Sequence, residues 1–205
     1  MIFLMGWLLI LAIGIILLGL FLLNFYRDPK RTIPKGNNIV APADGTVISI
    51  VKVSKKNIKI SKGLLGKIIT LTKEIAKECY VISIFMSPFD VHINRAPIAG
   101  TIKSIRHEKG KFFRADDIEK SLKNEKNEII IQNKKLKVKV IQIAGFLARR
   151  IICYVNPNQK VNKGNKIGMI ALGSQTTIIL PANIGLRIGL NSKVKAGETI
   201  IADLR

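Results

Sequence analysis

The sequence predicts a mainly β protein with an N-terminal transmembrane helix, and two observations lead to this prediction. Residues 2–23 contain no charged residue, and the chain after residue 38 alternates short β-branched runs with Gly and Pro. Several of those runs follow a Pro or Lys and then a Gly, as in APADGTVISI and RAPIAGTIKSI. Such recurring units are typical of compact sandwiches with two similar halves. We therefore expect a barrel-sandwich-like, pseudo-symmetric β domain that follows a membrane anchor.

The apolar N-terminal run is long enough to cross a bilayer. At about 1.5 Å per residue, residues 2–23 extend roughly 33 Å as a helix, against a hydrocarbon core of about 30 Å. No basic residue precedes the run, which argues against a cleaved signal peptide. A hairpin that dips into one leaflet around Gly14 is the alternative. We expect residues 1–24 to form a retained anchor and residues 25–205 to form one domain.

Positive charge dominates the rest of the chain. Lys and Arg number 34 against 13 Asp and Glu, for a formal net charge of +21. By the positive-inside tendency, the cations that directly follow the anchor place the domain on the cytoplasmic face of the cell membrane: Arg27, Lys30, Arg31 and Lys35. An anionic membrane surface would attract this flank by about 1 kcal/mol per cation. Aromatic residues are sparse, so nucleic acid is the weaker partner; a generally basic proteome would explain the same excess.

Ten short runs have the composition of β-strands. They lie at residues 39–53, 68–72, 80–85, 100–105, 129–131, 136–143, 149–155, 166–171, 176–180 and 193–202. Only residues 115–126 resemble a helix, with a polar loop as the alternative. Cys79 and Cys153 are far apart, so we expect reduced core cysteines, with neither a disulfide framework nor a metal site.

The Gly173–Ser174 pair lies between two of the strand-like runs. A turn is its simplest interpretation, because Gly and Ser are common turn residues. The same pair also allows chemistry, since a Gly leaves an unhindered carbonyl on a flexible backbone that can bend toward the Ser hydroxyl. Attack by that hydroxyl would convert the peptide bond into an ester.

Two further residues are candidates for proton transfer. His92 lies in a Pro-bounded loop with Asp90, Asn94 and Arg95, where it is either structural or a proton-transfer group. Asp44 precedes a Gly, and it either forms a turn or supplies the carboxylate that orients an imidazole. The other histidine, His107, is expected in a solvated loop.

A series of motifs, taken in order, resembles the short class of phosphatidylserine decarboxylases. The motifs cover nearly all of the chain after the anchor, and their shared order makes chance similarity very improbable. They are FYRDP at 25–29, APADG at 41–45, FMSPFDVHINRAP at 85–97, GKF at 110–112, NE at 124–125, QIAG at 142–145, GMI at 168–170 and LGS at 172–174.

The resemblance implies a proenzyme that cuts itself between Gly173 and Ser174. The products would be chains of residues 1–173 and 174–205, which associate, and Ser174 would become a covalent pyruvoyl group. That ketone would form a Schiff base with the amine of a serine phospholipid and act as an electron sink while CO2 leaves. No external cofactor is needed, and association into a homo-oligomer stays open.

The resemblance also assigns roles to individual residues. His92 matches the family histidine for proton transfer at the reacting carbon, and Asp44 matches the Asp of an Asp-His-Ser relay. The longer bacterial branch carries a second histidine where this chain has Arg95, so we assign both proton transfer and activation of Ser174 to His92. Residues 175–177 are Gln-Thr-Thr rather than the usual Arg-Val-Asp, which suggests a divergent branch. An archaeal member would act on archaetidylserine, and the sequence leaves phosphatidylserine and archaetidylserine both open as the substrate.

Two other classes of protein share some of these features. A membrane-anchored lipoyl-like carrier or adaptor would also have an anchor and Gly-strand repeats, but we find no Lys flanked by Met or Asp and no long heptad pattern. A zinc peptidase can contain APADG, but it needs more than the two histidines of this chain.

Overall fold

The N-terminal helix is apolar on all sides. In the computed structural model, which describes residues 2–53, 57–61, 67–72, 74–109, 125–144, 150–171 and 174–204, helix α1 covers Ile2–Phe25. It is long and apolar enough to cross a membrane, and side chains around its circumference are exposed, including Trp7 and Leu23. A helix that is apolar all round needs an apolar environment such as lipid. Its last residue, Phe25, is only 1% exposed and packs on the β domain.

The rest of the described chain is made of strands, so the mainly β prediction is confirmed. In chain order they are β1 (Asn38–Val40), β2 (Gly45–Val53), β3 (Asn57–Ser61), β4 (Lys67–Leu71), β5 (Cys79–Met86), β6 (Ile93–Arg95), β7 (Gly100–Glu108), β8 (Lys126–Gln132), β9 (Lys137–Ile143), β10 (Ile151–Cys153), β11 (Lys160–Val161), β12 (Lys166–Ile170), β13 (Ser174–Pro181), β14 (Gly185–Leu186), β15 (Lys193–Val194) and β16 (Ile200–Asp203).

An antiparallel eight-stranded sheet curls around the main core. Its strand order is β11-β7-β8-β9-β13-β5-β2-β15, and smaller sheets, β1-β16-β14 and β10-β12-β6, pack against the same core. Alternate residues of each strand point inward, as the two-residue period of a strand requires. Ile82 and Ile84 of β5 thereby meet Val140 of β9 and Ile178 of β13. β3 and β4 form a separate hairpin.

The outer face of the central strands is buried as well. Val81, Ile141 and Ile179 form a second apolar cluster there. On the same face of β9, Lys139 is completely buried and forms ion pairs of 2.7 Å with Glu74 and 3.1 Å with Glu128. A buried ammonium needs such partners, because an unpaired charge away from water is costly.

The two halves of the domain repeat one another, which confirms the pseudo-symmetry predicted from the Gly-strand units. β2 and β7 have equal length, and each contains a β-bulge after its third residue. Each begins with a glycine, Gly45 or Gly100, at which a Cβ atom would overlap a carbonyl oxygen of the neighbouring strand. Glycine is needed at both positions because only a backbone without Cβ allows so close an approach.

The loops that flank the repeated strands match too. The NH groups of Asn191 and Asn158 donate to the carbonyls of Val47 and Ile102, and both asparagines have a left-handed backbone. The following β15 and β11 pair with the first residues of β2 and β7 in the same way. Each repeated unit therefore comprises a long strand, β2 or β7, and a short strand, β15 or β11, that pairs with its first residues although it is far away in the sequence.

Two local predictions were wrong. Residues 93–95, expected in a loop, form β6, because they pair with β12 across about 70 residues of chain. His107 lies in β7 rather than in a solvated loop, and its Nε2 is 3.0 Å from Oε1 of Glu125. Of the residues predicted as a helix, 115–124 lie outside the described residues, whereas Lys126 begins β8.

Candidate active site

The predicted site residues meet at one end of the central strands. β5 ends at Met86, which is the register partner of Ser174, the first residue of β13. On the other side of β5, Thr46 is the partner of Phe85, so Asp44 immediately precedes the same end. The loop that carries His92 follows β5 directly. Gly173 lies outside the described residues. Because β13 begins at Ser174, the predicted cleavage bond directly precedes this strand.

His92 is completely buried, and its hydrogen bonding defines its tautomer. Nδ1 lies 2.8 Å from the carbonyl oxygen of Asp90, which can only accept a hydrogen bond, so we assign the proton to Nδ1. In the neutral ring, Nε2 then carries a lone pair. Among the described residues this buried atom has no hydrogen-bond partner. Nε2 is therefore the ring atom that could accept a proton.

The surroundings of His92 keep it neutral. Burial lowers the pKa of His92 below its ordinary value, and the charge of Arg27 acts in the same direction. The Asp90 carbonyl and the carboxylates of Asp90 and Asp44 oppose this shift. Because the net direction is downward, the imidazole is an available base at neutral pH.

The end of helix α1 forms one wall of this site. The ring of Phe25 lies on the imidazole of His92 with 4.1 Å between centroids, and Tyr26 packs edge-on against Phe25 at 5.2 Å. Sequence analysis did not select Phe25 as a site residue, although it begins the FYRDP motif. Its place at the end of an apolar run makes it indistinguishable from a lipid-facing residue in the sequence.

A tight turn aims the Asp90 carbonyl at His92. The Asp90 NH donates to the Ser87 carbonyl at 3.0 Å, and the Ser87 NH donates to Oδ2 of Asp90 at 2.7 Å. Arg27 adds a hydrogen bond of 2.6 Å to the carbonyl of Phe89. The segment after the helix thus holds the turn that orients the imidazole.

Asp44 has different partners from those that the sequence suggested. Nη2 of Arg31 donates to both of its carboxylate oxygens, at 2.9 and 2.8 Å, and the Ala196 NH donates to Oδ1 at 2.7 Å. Nδ1 of His92 is bonded to Asp90 instead, so in this structure Asp44 does not orient the imidazole by a direct hydrogen bond. It acts on His92 through space, as a negative charge that favours the protonated ring.

Arg95 is a clamp between the helix end and the sheet. Its Nη2 lies 2.5 Å from Oδ1 of Asp28, and its Nη1 donates to the carbonyl of Gly164 at 3.0 Å. Lys166 also pairs with Asp28. Burial acts to raise the pKa of Asp28, but Lys166 and Arg95 outweigh it and hold that pKa below its usual range. Arg95 is therefore occupied in binding Asp28.

A buried chain of amides links the His92 segment to β13. Nδ2 of Asn94 donates to Oγ1 of Thr176 at 3.1 Å, and Nε2 of Gln142 donates to Oδ1 of Asn94 at 2.8 Å. Asn127 in turn donates to Gln142 at 2.8 Å. All four side chains are completely buried. Gln142 was noted only as part of a motif, although a glutamine inside an apolar strand is itself a signal of such a network.

A cavity of about 530 Å³ opens beside these residues. Asp44, Phe85 and Asp90 line it, together with the cations Arg27, Lys193 and Lys195. In the described part of the chain, no group of three His, Cys, Asp or Glu could hold a metal ion. Cys79 and Cys153 are both free thiols.

The fold and the candidate site define a mainly β protein with a buried imidazole at the end of a curled sheet, joined to an apolar helix. A sequence model described as phosphatidylserine decarboxylase matches residues 18–202. A protein named putative archaetidylserine decarboxylase proenzyme, from Methanocaldococcus jannaschii, is 46% identical over 194 residues, which cover 93% of each chain. Two phosphatidylserine decarboxylase proenzymes are also similar. The protein from Chlorobium limicola is 41% identical, and the match covers 91% of this chain and 81% of the relative. The protein from Chlorobium phaeobacteroides is 43% identical, and the match covers 98% of this chain and 87% of the relative.

The chain therefore belongs to the phosphatidylserine decarboxylase family, as the ordered motifs predicted. It is a decarboxylase, a lyase of phospholipid metabolism, and its relatives are named as proenzymes.

Proposed function

We propose that this protein is a pyruvoyl-dependent decarboxylase that converts a serine phospholipid into the corresponding ethanolamine phospholipid and CO2. It would become active by cutting itself between Gly173 and Ser174. The observation that carries the proposal is the buried Nε2 of His92, which has no hydrogen-bond partner in the described part of the chain and lies at the same sheet end as the first residue of β13. The proenzyme names of the relatives support the cleavage step.

The two chains produced by cleavage would remain together. Residues 174–205 begin with β13, which pairs with β5 over eight residues and with β9 over five. The same segment supplies β16, which pairs with β1. Cleavage at the edge of β13 leaves these ladders and their apolar contacts intact, so the short chain would be held as a central part of the sheet.

The site offers a suitable environment for a pyruvoyl group at position 174. Such a group supplies a ketone that can bind the substrate amine and accept the electrons released as CO2 leaves. Nε2 of His92 would take the excess proton from the arriving ammonium group and return it to the carbon that lost the carboxylate. Asp44 would stabilise the imidazole of His92 while it carries that proton. Phe25 would keep water from the face of the same ring. During maturation, the same Nε2 would accept the proton of the Ser174 hydroxyl.

The membrane supplies the substrate in this proposal. Residues 1–24 would cross the cell membrane, and the basic residues after the helix would keep the domain, residues 25–205, on the cytoplasmic side. The relative from Methanocaldococcus jannaschii is named for archaetidylserine, which favours an ether lipid as the substrate here. Parallel assays with phosphatidylserine and archaetidylserine would identify the preferred lipid.

Intact mass measurement under denaturing conditions tests the central claim. We expect two fragments divided after Gly173, the smaller without a free amino terminus, and a single uncut chain for Ser174→Ala. Ser104→Ala, in a strand distant from the site, serves as the matched control and should be cut normally. A wild-type protein that stays uncut, or a Ser174→Ala protein that is cut, would refute the proposal.

A further inference from the structure

The cavity beside Asp44 has a surplus of positive charge that the chemistry of His92 does not require. We propose that it binds the phosphodiester of the substrate's headgroup, with Arg27, Lys193 and Lys195 as the cations that contact the phosphate. The inference rests on the proposed function and adds a recognition site to it. The volume of the cavity, about 530 Å³, is in the range of small-molecule sites, about 300–1,000 Å³.

The acidic residues of the cavity do not cancel its positive charge. Asp44 is already paired with Arg31, which contacts both of its oxygens and is itself nearly buried. The carboxylate of Asp90 accepts a hydrogen bond from the backbone NH of Ser87. Within the described ranges, neither Lys193 nor Lys195 lies within ion-pair distance of a carboxylate, whereas many other cations of this protein do. Lys195 acts only through space on Glu198, whose pKa its charge helps to lower. These two ammonium groups are therefore available to an anion.

Arg27 is held in place for such a contact. Its Nη1 donates to the Asn24 carbonyl at 2.6 Å and to the Asn24 side chain, and its Nη2 donates to the Phe89 carbonyl at 2.6 Å. A guanidinium has five N–H donors, so three hydrogen bonds leave donors for a ligand. A planar, fixed guanidinium is well suited to a phosphate because it can donate two parallel hydrogen bonds.

Lys193, in β15, and Lys195, directly after this strand, lie beside the cavity. Val194 is 3% exposed and pairs with Gly45, whereas Lys193 pairs with Thr46 and is exposed. Lys193 and Lys195 are exposed on either side of the buried Val194, and all three residues line the cavity. Both lysines thus lie beside the same space as Arg27.

The position of the cavity suits a lipid more than a soluble anion. Arg27 is two residues beyond the end of the apolar helix, and the nearby rings of Tyr26 and Phe89 are 60% and 71% exposed. Such rings are typical of the membrane-water interface. Asp90 lines the cavity, and its carbonyl accepts the hydrogen bond from Nδ1 of His92, so a phosphate bound here would lie near the His92 segment.

Binding to the uncut Ser174→Ala protein tests the inference separately from catalysis. In detergent, titration calorimetry would compare glycerophosphoserine, inorganic phosphate and free serine. We expect glycerophosphoserine to bind most tightly, and the double variant Lys193→Gln/Lys195→Gln to weaken it about tenfold or more, as loss of charge-assisted hydrogen bonds predicts. Tighter binding of inorganic phosphate, or equal binding of free serine, would overturn the headgroup assignment.

The pseudo-symmetry of the fold supplies a matched control. Lys160 occupies in β11 the place that Lys193 has in β15, since it pairs with Thr101 of β7 as Lys193 does with Thr46 of β2. The variant Lys160→Gln/Lys103→Gln removes the same amount of charge and should bind like the parent. Equal weakening in both double variants would reduce the effect to net charge and refute the site. If wild type releases no CO2 while binding persists, only the proposed function fails.

Discussion

The ring of Phe25 lies on the imidazole of His92, with 4.1 Å between the centroids and 35° between the planes. One residue ends the apolar helix and the other is the buried histidine of the candidate site. The contact makes the end of the helix part of that site. It also adds to the burial that lowers the pKa of His92.

Replacing Phe25 should therefore change the acid-base behaviour of a residue 67 positions away. In Phe25→Ala, water would reach the imidazole, so the pKa of His92 should rise toward its ordinary value of 6.5. The variant should also lose about 3 kcal/mol of stability, as for other buried Phe to Ala changes. An NMR titration in a His107→Gln background, which leaves His92 as the only histidine, would measure the shift.

Phe3→Ala is the matched control, because Phe3 is 88% exposed on the same helix. It should leave the titration of His92 unchanged. An unaltered His92 pKa in Phe25→Ala would show that the ring does not contribute to the shielding of the imidazole.

The lowered pKa of His92 also makes stability depend on pH in a defined direction. The folded protein binds the His92 proton less readily than the unfolded chain, whose value is close to 6.5. As pH falls below 6.5, the unfolded chain takes up protons that the folded state resists, so the free energy of unfolding falls. Above 6.5 both states are neutral at this residue, and its contribution is constant.

His92→Gln should remove this dependence, because glutamine does not titrate. Between about pH 5 and 6.5, its unfolding midpoint should fall less steeply than that of wild type. The variant should also lose CO2 release by about 10²- to 10⁴-fold, the usual contribution of a general acid-base residue. Thermal unfolding over a pH series and a CO2 assay would measure both effects, and parallel pH curves would contradict the assignment of a buried neutral imidazole.

Much of the fold followed from sequence patterns because its causes are local. The alternation of short β-branched runs with Gly and Pro predicted the strands. The glycines of APADGTV at 41–47 and APIAGTI at 96–102 predicted the two related halves. β6 was missed because its pairing with β12 is non-local. The Phe25–His92 contact and the Arg31–Asp44 pair also join segments whose relation only the folded chain defines. The resemblance predicted His92 and Ser174 as site residues, but not the partners that orient and shield His92 in the structure.

Arg95 should matter for stability rather than for proton transfer. Arg95→Gln would remove its contact with Asp28, which retains Lys166 and is about a quarter exposed, so we expect a loss of roughly 1–2 kcal/mol. Self-cleavage should still go to completion. A double-mutant cycle with Asp28→Asn would isolate the pair energy, and complete loss of cleavage in a folded Arg95→Gln protein would contradict the role of a clamp.

The amide chain should control how fast the proenzyme cuts itself. Asn94→Ala removes the partner of Nε2 of Gln142 and one partner of Oγ1 of Thr176, which should cost about 1–3 kcal/mol and loosen β13 at the third residue after the predicted bond. We expect slower cleavage, followed by mass measurement over time after synthesis. Gln142→Ala should have a similar effect. The double variant should lose less stability than the sum of the two single losses, because both side chains act through one network.

The matched control is Asn183→Ala, an exposed position just beyond the far end of β13, which should cleave at the wild-type rate. Wild-type cleavage rates in a destabilised Asn94→Ala protein would limit the network to a role in folding.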